Sequence, residues 1–242
     1  MTQTTHHNTL GQAIGPPLPQ WQPPPRITHA TLPGRYCRVE PLHARHAADL
    51  FAANALDTTG GGWTYLTAGP FADFAEYEQW VEKVSPGGDP LFHALIDLRT
   101  QKAVGVAAYM RIDAANGVVE IGSLKFSPPM QRTPVASEAM YLVMRHAFSL
   151  GYRRYEWKCD TFNAPSRAAA RRYGFSYEGV FRQAVVYKNR SRDTAWYGIT
   201  DGDWPAIDAA FTKWLAPENF DADGKQRVSL SSLTEPLLKA RG

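Results

Sequence analysis

The stretch from Val118 to Phe175 does most to limit what this chain can fold into, because its periodicity changes from strand to helix and back. Val118 to Phe126 is rich in β-branched and apolar residues with no internal proline, which suits a strand. Pro128 and Pro129 stop it, since proline cannot donate to a ladder. Ala136, Ala139, Met140, Val143, Ala147 and Leu150 then recur at three- and four-residue steps and make one apolar helix face. Thr133 suits the N-cap, Pro134 the first helical position and Gly151 the C-terminal cap. From Arg154 to Asp160, Tyr155, Trp157 and Cys159 alternate with polar residues at strand period. Strand, helix and strand form one parallel crossover, which is right-handed in nearly all folds.

The turn entering the helix carries the chemistry. A helix N-terminus leaves backbone N–H groups unpaired and bears partial positive charge, so it is a site for phosphate. Gln131, Arg132 and Thr133 stand there. An ordinary basic turn is the alternative reading. Further on, Asn163 caps a short helix that closes at Gly174-Phe175, in the pattern N-x-x-S-(seven residues)-G-F with Ser166.

Together with the upstream Q-R-x-x-x-A-S-E-A from Gln131, this ordered set resembles the Gcn5-related N-acetyltransferase (GNAT) superfamily, and within it the RimJ/RimL-type branch. The likeness extends from about Arg35 to Thr200 and includes Y-E-G-V-F-R-Q-A, Tyr177 to Ala184, and Arg192-Asp193. It implies an α/β fold of α+β type. A central, mostly antiparallel mixed sheet would carry one parallel crossover at the cofactor cradle, with flanking helices. It also implies acetyl-CoA as co-substrate and an amine acceptor, either a small molecule or a protein N-terminus. The acetyl group would pass directly in a ternary complex. By the resemblance, the backbone of Leu124, Lys125 and Phe126 runs along the pantetheine arm. Gln131, Arg132, Thr133, Val135, Ala136, Asn163 and Ser166 complete cofactor binding.

The chain departs from the family pattern at three places. Ala170 stands where many members have a tyrosine that protonates the leaving thiolate, and Tyr173, three residues on, does not inherit that role. The RimL-type alternative is the serine of N-x-x-S, here Ser166, whose competing reading is a first-turn serine bonding its own backbone. Val185 replaces a glutamate base, so Glu120 on the cradle strand is the candidate base, with a structural ion pair as the alternative. Pro134 replaces a glycine and removes one N–H from the phosphate turn. Arg171 and Arg172 read as solvated helix charges, with contact to the cofactor's 3′-phosphate as the second reading.

The rest of the chain divides into a proline-rich arm over 1–33, the transferase domain over 34–215 and a tail over 216–242. Trp21 and Ile27 are expected to anchor the arm. Gly34 to Pro41 reads as the first strand and His43 to Asn54 as a helix. Gly60-Gly61-Gly62 lacks the lysine of a P-loop, and Trp63 and Tyr65 behind it are candidate substrate-cleft residues, with core packing as the alternative. A helix over Ala72 to Val84 precedes a hairpin of Leu91 to Leu98 and Ala103 to Ile112, and Asn116-Gly117 signals a two-residue turn into the cradle strand. A strand pair, Ser176 to Tyr187 with Asp193 to Thr200, turns at 188–191, and Asp201 to Leu215 is a helix. The tail is expected to pack in part and fray at its end.

A formal charge of +3 over 242 residues gives no argument for nucleic acid. No apolar run suits a bilayer, and MTQTTHHNTL lacks a signal pattern, so the expected compartment is the cytoplasm. Cys37 and Cys159 read as buried small hydrophobes, and no metal is expected. A homodimer is the assembly considered. A silent acyl-CoA-binding module and use of another acyl-CoA remain alternatives to acetyl transfer.

Overall fold

The computed structural model describes residues 5–242; the first four residues of the proline-rich arm lie outside it. The arm begins with a two-stranded ribbon, β1 (His6–His7) and β2 (Ala13–Ile14). It then crosses the domain. The Trp21 indole packs over Gly117 and under the Arg153 guanidinium, Arg26 donates to the Ile112 carbonyl, and Ile27 is buried in the core.

An eight-stranded sheet follows, in the order β3-β4-β5-β6-β7-β8-β10-β9. Its strands are β3 (Leu32–Pro33), β4 (Cys37–Pro41), β5 (Leu91–Asp97), β6 (Lys102–Asp113), β7 (Val118–Phe126), β8 (Arg154–Asp160), β9 (Ser176–Tyr187) and β10 (Arg190–Thr200). Every pairing is antiparallel except β7 with β8. That pair is joined through α3 (Pro134–Ser149), as the crossover pattern requires.

Alternation along β5 splits the core. Leu91 and Leu95 face a cluster with α3 and α5 (Trp204–Leu215), whereas Phe92, Ala94 and Ile96 face α1 (Ala47–Ala55) and α2 (Phe74–Val84). α4 (Ala164–Arg172) lies between β8 and β9 in sequence. Both cysteines are buried and free.

Several boundaries differ from the sequence reading, each for a local reason. Gly34 to Tyr36 form a turn, not the start of β4, because the amides of Arg35, Tyr36 and Cys37 all donate to the buried Glu138 carboxylate on α3. The residues that pair with β4 come earlier, at Leu32–Pro33. The β6–β7 connection spans 114–117, with Gly117 alone at positive φ (+63°), so it is not the two-residue turn. The two-residue turn is at Lys188-Asn189, both left-handed (φ +47° and +57°), and β10 therefore starts at Arg190. α5 starts at Trp204 because Asp203 closes a turn on Thr200.

The tail packs in part, with 222–228 and 239–242 exposed. Leu230 of α6 (Leu230–Thr234) is fully buried, Thr234 donates to the Arg172 carbonyl, and the Tyr177 amide donates to the Ala240 carbonyl. No helix of the described residues is long and apolar enough to cross a membrane.

Candidate active site

β7 creates the site by leaving its neighbour. It pairs with β8 only from Val118–Arg154 to Ile121–Trp157. On its other edge the register with β6 slips between Ala108–Gly122 and Val106–Lys125, so Ser123 and Leu124 oppose the single residue Ala107. Ser123 is left-handed (φ +50°), the signature of a bulge. Beyond Ile121 the two strands diverge, and the β7 edge facing β8 no longer has that strand to pair with.

The opening widens into a cleft of about 1570 Å³, more than the ~300–1,000 Å³ of an ordinary ligand pocket. That is room for an elongated ligand and a second reactant. Leu124, Lys125 and Phe126 line it from β7, Gln131, Arg132 and Thr133 from the turn, and Ala136 from α3. Asn163 and Ser166 close the β8–α4 side. Val135 is buried behind the lining.

The turn is built to present amides. Arg132 is left-handed (φ +60°), and the Gln131 side chain donates to the Phe126 carbonyl at 2.8 Å. The Thr133 hydroxyl turns back to the Met130 carbonyl at 2.7 Å, and α3 has no side-chain N-cap. Its first-turn N–H groups, except at Pro134, therefore remain for a ligand. Arg172 lines the cleft and is half-buried, in place of the solvated helix charge expected of it. It donates to the Ser137 hydroxyl at 2.8 Å and stacks over Tyr173 and Trp214. Arg171 is not among the lining residues.

Asn163 caps α4 by accepting from the Ser166 amide at 3.1 Å. The Ser166 hydroxyl accepts from the Trp157 indole at 3.0 Å instead of bonding its own helix. It lies beside the Cys159 thiol, whose pKa burial raises. Ala170 is fully buried, and Tyr173 is buried against Trp157 and Phe211, where desolvation raises its phenol pKa.

Glu120 lines the cleft and is buried, but its carboxylate is held by Arg111 and by Lys158 at 2.8 Å. It belongs to a charge ladder that continues through Glu156 and Arg154 to Glu178. Both ion pairs meet Oε2, and Oε1 accepts no hydrogen bond among the described residues. The two aromatic cleft candidates separate. Trp63 is buried in the α1–α2 core against Phe71 and Tyr77, whereas Tyr65 lines the cleft and donates to the Phe162 carbonyl at 3.1 Å.

The Gly60–Gly62 loop folds onto Lys125. A side chain at Gly62 would meet the Lys125 ammonium and Asp57, which lie 3.6 Å apart. Lys125 is 3% exposed, and its ammonium lies over the Trp63 ring. Burial lowers its pKa against the opposing charge of Asp57.

Sequence reasoning missed Asp57 and Asp160. Asp160, at the C-terminal end of β8, is buried, lines the cleft and accepts from the Phe162 amide and the Tyr187 hydroxyl. Its place at the end of a strand beside a divergence was the available signal.

Comparison with known proteins bears on the whole arrangement. The model of the acetyltransferase (GNAT) domain family matches residues 37–176. The chain is similar to a GCN5-related N-acetyltransferase from Brucella melitensis, at 48% identity over 90% of this chain and 100% of that one, with a TM-score of 0.88. A probable acetyltransferase of the GNAT family from Chromobacterium violaceum shares 39% identity over 80% of this chain and 97% of that one, with a TM-score of 0.74. The N-acetyltransferase p20 of Bacillus licheniformis is 27% identical over 139 residues, 56% of this chain and 78% of that protein.

Proposed function

This chain belongs to the GNAT acetyltransferase family, and from that premise we propose that it moves an acetyl group from acetyl-CoA to a primary amine by direct attack in a ternary complex. The observation that carries the reading is the single cleft joining the diverged β7 edge to the uncapped N-terminus of α3. The first supplies donors for a pantetheine arm and for the oxygen on which charge develops; the second supplies N–H groups for a pyrophosphate. Gln131, Arg132, Thr133, Val135 and Ala136 hold the phosphates, and Asn163 fixes the start of α4.

Ser166 is the proposed proton donor to the leaving thiolate, in the manner of the RimJ/RimL-type branch. The Trp157 indole occupies an acceptor position on its oxygen, so the hydroxyl hydrogen remains to be donated. An acceptor ammonium has a pKa of ~8 at an N-terminus and ~10.4 on a lysine-like chain, so it must lose a proton before attack. On Glu120 both Arg111 and Lys158 meet Oε2, so Oε1 is the atom that would take that proton while Oε2 holds the two cations. Tyr65 borders the acceptor side.

The buried Ala170, where a tyrosine is common, favours a second reading: a silent acyl-CoA-binding module. Calorimetric titration with acetyl-CoA, followed by an amine panel with free-thiol detection, separates the two. Binding with thiol release establishes transfer, and binding without release across the panel supports the silent module. Absence of binding refutes both.

A further inference from the structure

The Glu138 carboxylate meets three backbone donors, and among the described residues the buried side-chain atoms without a hydrogen-bond partner away from the cleft, Asn54 Oδ1, Tyr77 OH and Tyr155 OH, lie singly on α1, α2 and β8. The acceptor side of the cleft is different. Lys125 Nζ, Arg192 Nε, Thr194 Oγ1 and Trp196 Nε1 are closed off from solvent without a hydrogen-bond partner, and all four residues line the cleft. Three of them occupy alternate positions of β10, so their side chains share one face of the strand. Leaving one such group unmet costs ~1–3 kcal/mol, so a row of three on one face is expensive to leave unpaired.

The row has a consistent character. The unmet atoms of Arg192, Trp196 and Lys125 are donors only, and two of these side chains are cations. Thr194 sits directly opposite Asp160 on β8. The cover is light: the Phe181 ring lies 4.4 Å from Trp196 and is itself 55% exposed, on the edge strand β9. Phe181 can therefore swing into water without leaving a core.

We infer that the Arg192–Thr194–Trp196 face of β10 receives an oxyanion, a carboxylate or phosphate, carried by the acceptor amine. Asp160 then attracts the ammonium end of the same molecule. The acceptor class is an amine with an anionic group within a few bonds, as in an amino acid or a phosphorylated amino alcohol. This assignment rests on the transferase reading of the cleft, which it extends from any primary amine to a zwitterionic one.

The test is calorimetric titration of the full chain, saturated with coenzyme A, against paired probes. The pairs are phenylalanine with phenethylamine, lysine with cadaverine, serine with ethanolamine, and phosphoethanolamine with ethanolamine; the last separates phosphate from carboxylate. At least one oxyanion-bearing probe is expected to bind about tenfold or more tightly than its counterpart, the effect of a hydrogen bond to a charged group. Arg192→Gln should abolish that preference while leaving acetyl-CoA affinity in place. The near-isosteric Thr194→Val should weaken the preference, and it serves if Arg192→Gln fails to fold.

The inference is overturned if no oxyanion-bearing probe outbinds its counterpart, total absence of binding included. It is also overturned if the preference survives in a folded variant of either residue. Acetyl-CoA binding, measured in the same preparation, keeps the two readings apart. Its presence without an oxyanion preference sinks only this inference, and its absence sinks the transferase.

Discussion

Replacing Ser166 by alanine separates chemistry from packing, because the structure fixes what each would lose. The Ser166 oxygen is the acceptor for the Trp157 indole N–H, and Trp157 is buried. Removing it leaves that donor unmet, at ~1–3 kcal/mol. For a protein of this size each kcal/mol moves the melting temperature by about 2–4 °C, so a fall of about 4–8 °C is expected from a central ~2 kcal/mol. Loss of a positioned proton donor removes a further ~10²–10⁴-fold in turnover. The α3 turn and the β7 edge are untouched, so the acetyl-CoA dissociation constant should stay within about twofold. The assays are thermal unfolding, calorimetry with acetyl-CoA, and thiol release from a responsive amine well below the melting transition. A decrease in turnover below about threefold would refute the proton-donor role. So would a parallel loss of acetyl-CoA affinity, which would make Ser166 a binding residue.

Glu138→Ala orphans the amides of Arg35, Tyr36 and Cys37 in one step. It should destabilise the fold by several kcal/mol, of order ~3–5, and a chemical denaturation midpoint like wild type would show that water replaces the carboxylate. Pro134→Gly restores an N–H at the first position of α3 and should tighten acetyl-CoA binding by up to about tenfold; equal or weaker binding in a folded variant would show that the phosphates do not meet that position. The His93 imidazole has its pKa pulled from 6.5 to about 4 by burial, with the charge of neighbouring His29 acting the same way. Below pH 6.5 the unfolded chain takes a proton that the folded one refuses, so stability should fall from pH 6.5 to about 4 and level off below. His93→Gln should flatten that limb, and an unchanged acid profile would assign it to other groups.

Where information was local, the sequence carried it. The Val118–Phe126 strand, the Thr133-Pro134 helix start and the Asn163 cap all appear at the positions their residues dictate. Each depends on neighbours a few residues away: a run of β-branched side chains, a missing N–H, an amide within reach of one carboxamide. The Gly34–Tyr36 stretch could not be read this way, since Glu138 lies about a hundred positions along the chain. Trp63 and Tyr65 have similar credentials in sequence and opposite fates in space, because only the packing of Phe71 and Tyr77 decides which ring is enclosed.

The same division runs through the site. Periodicity and the ordered motifs determined that the chain has a parallel crossover with an anion-ready helix start, because backbone amides and prolines act wherever they stand. The tertiary structure alone decided that Glu120 Oε2 meets two cations, that Arg172 lines the cleft, and that Arg192 Nε, Thr194 Oγ1 and Trp196 Nε1 lack hydrogen-bond partners. A hydrogen bond or ion pair depends on atoms meeting within a few ångströms, and strands distant in sequence meet only when the sheet is assembled.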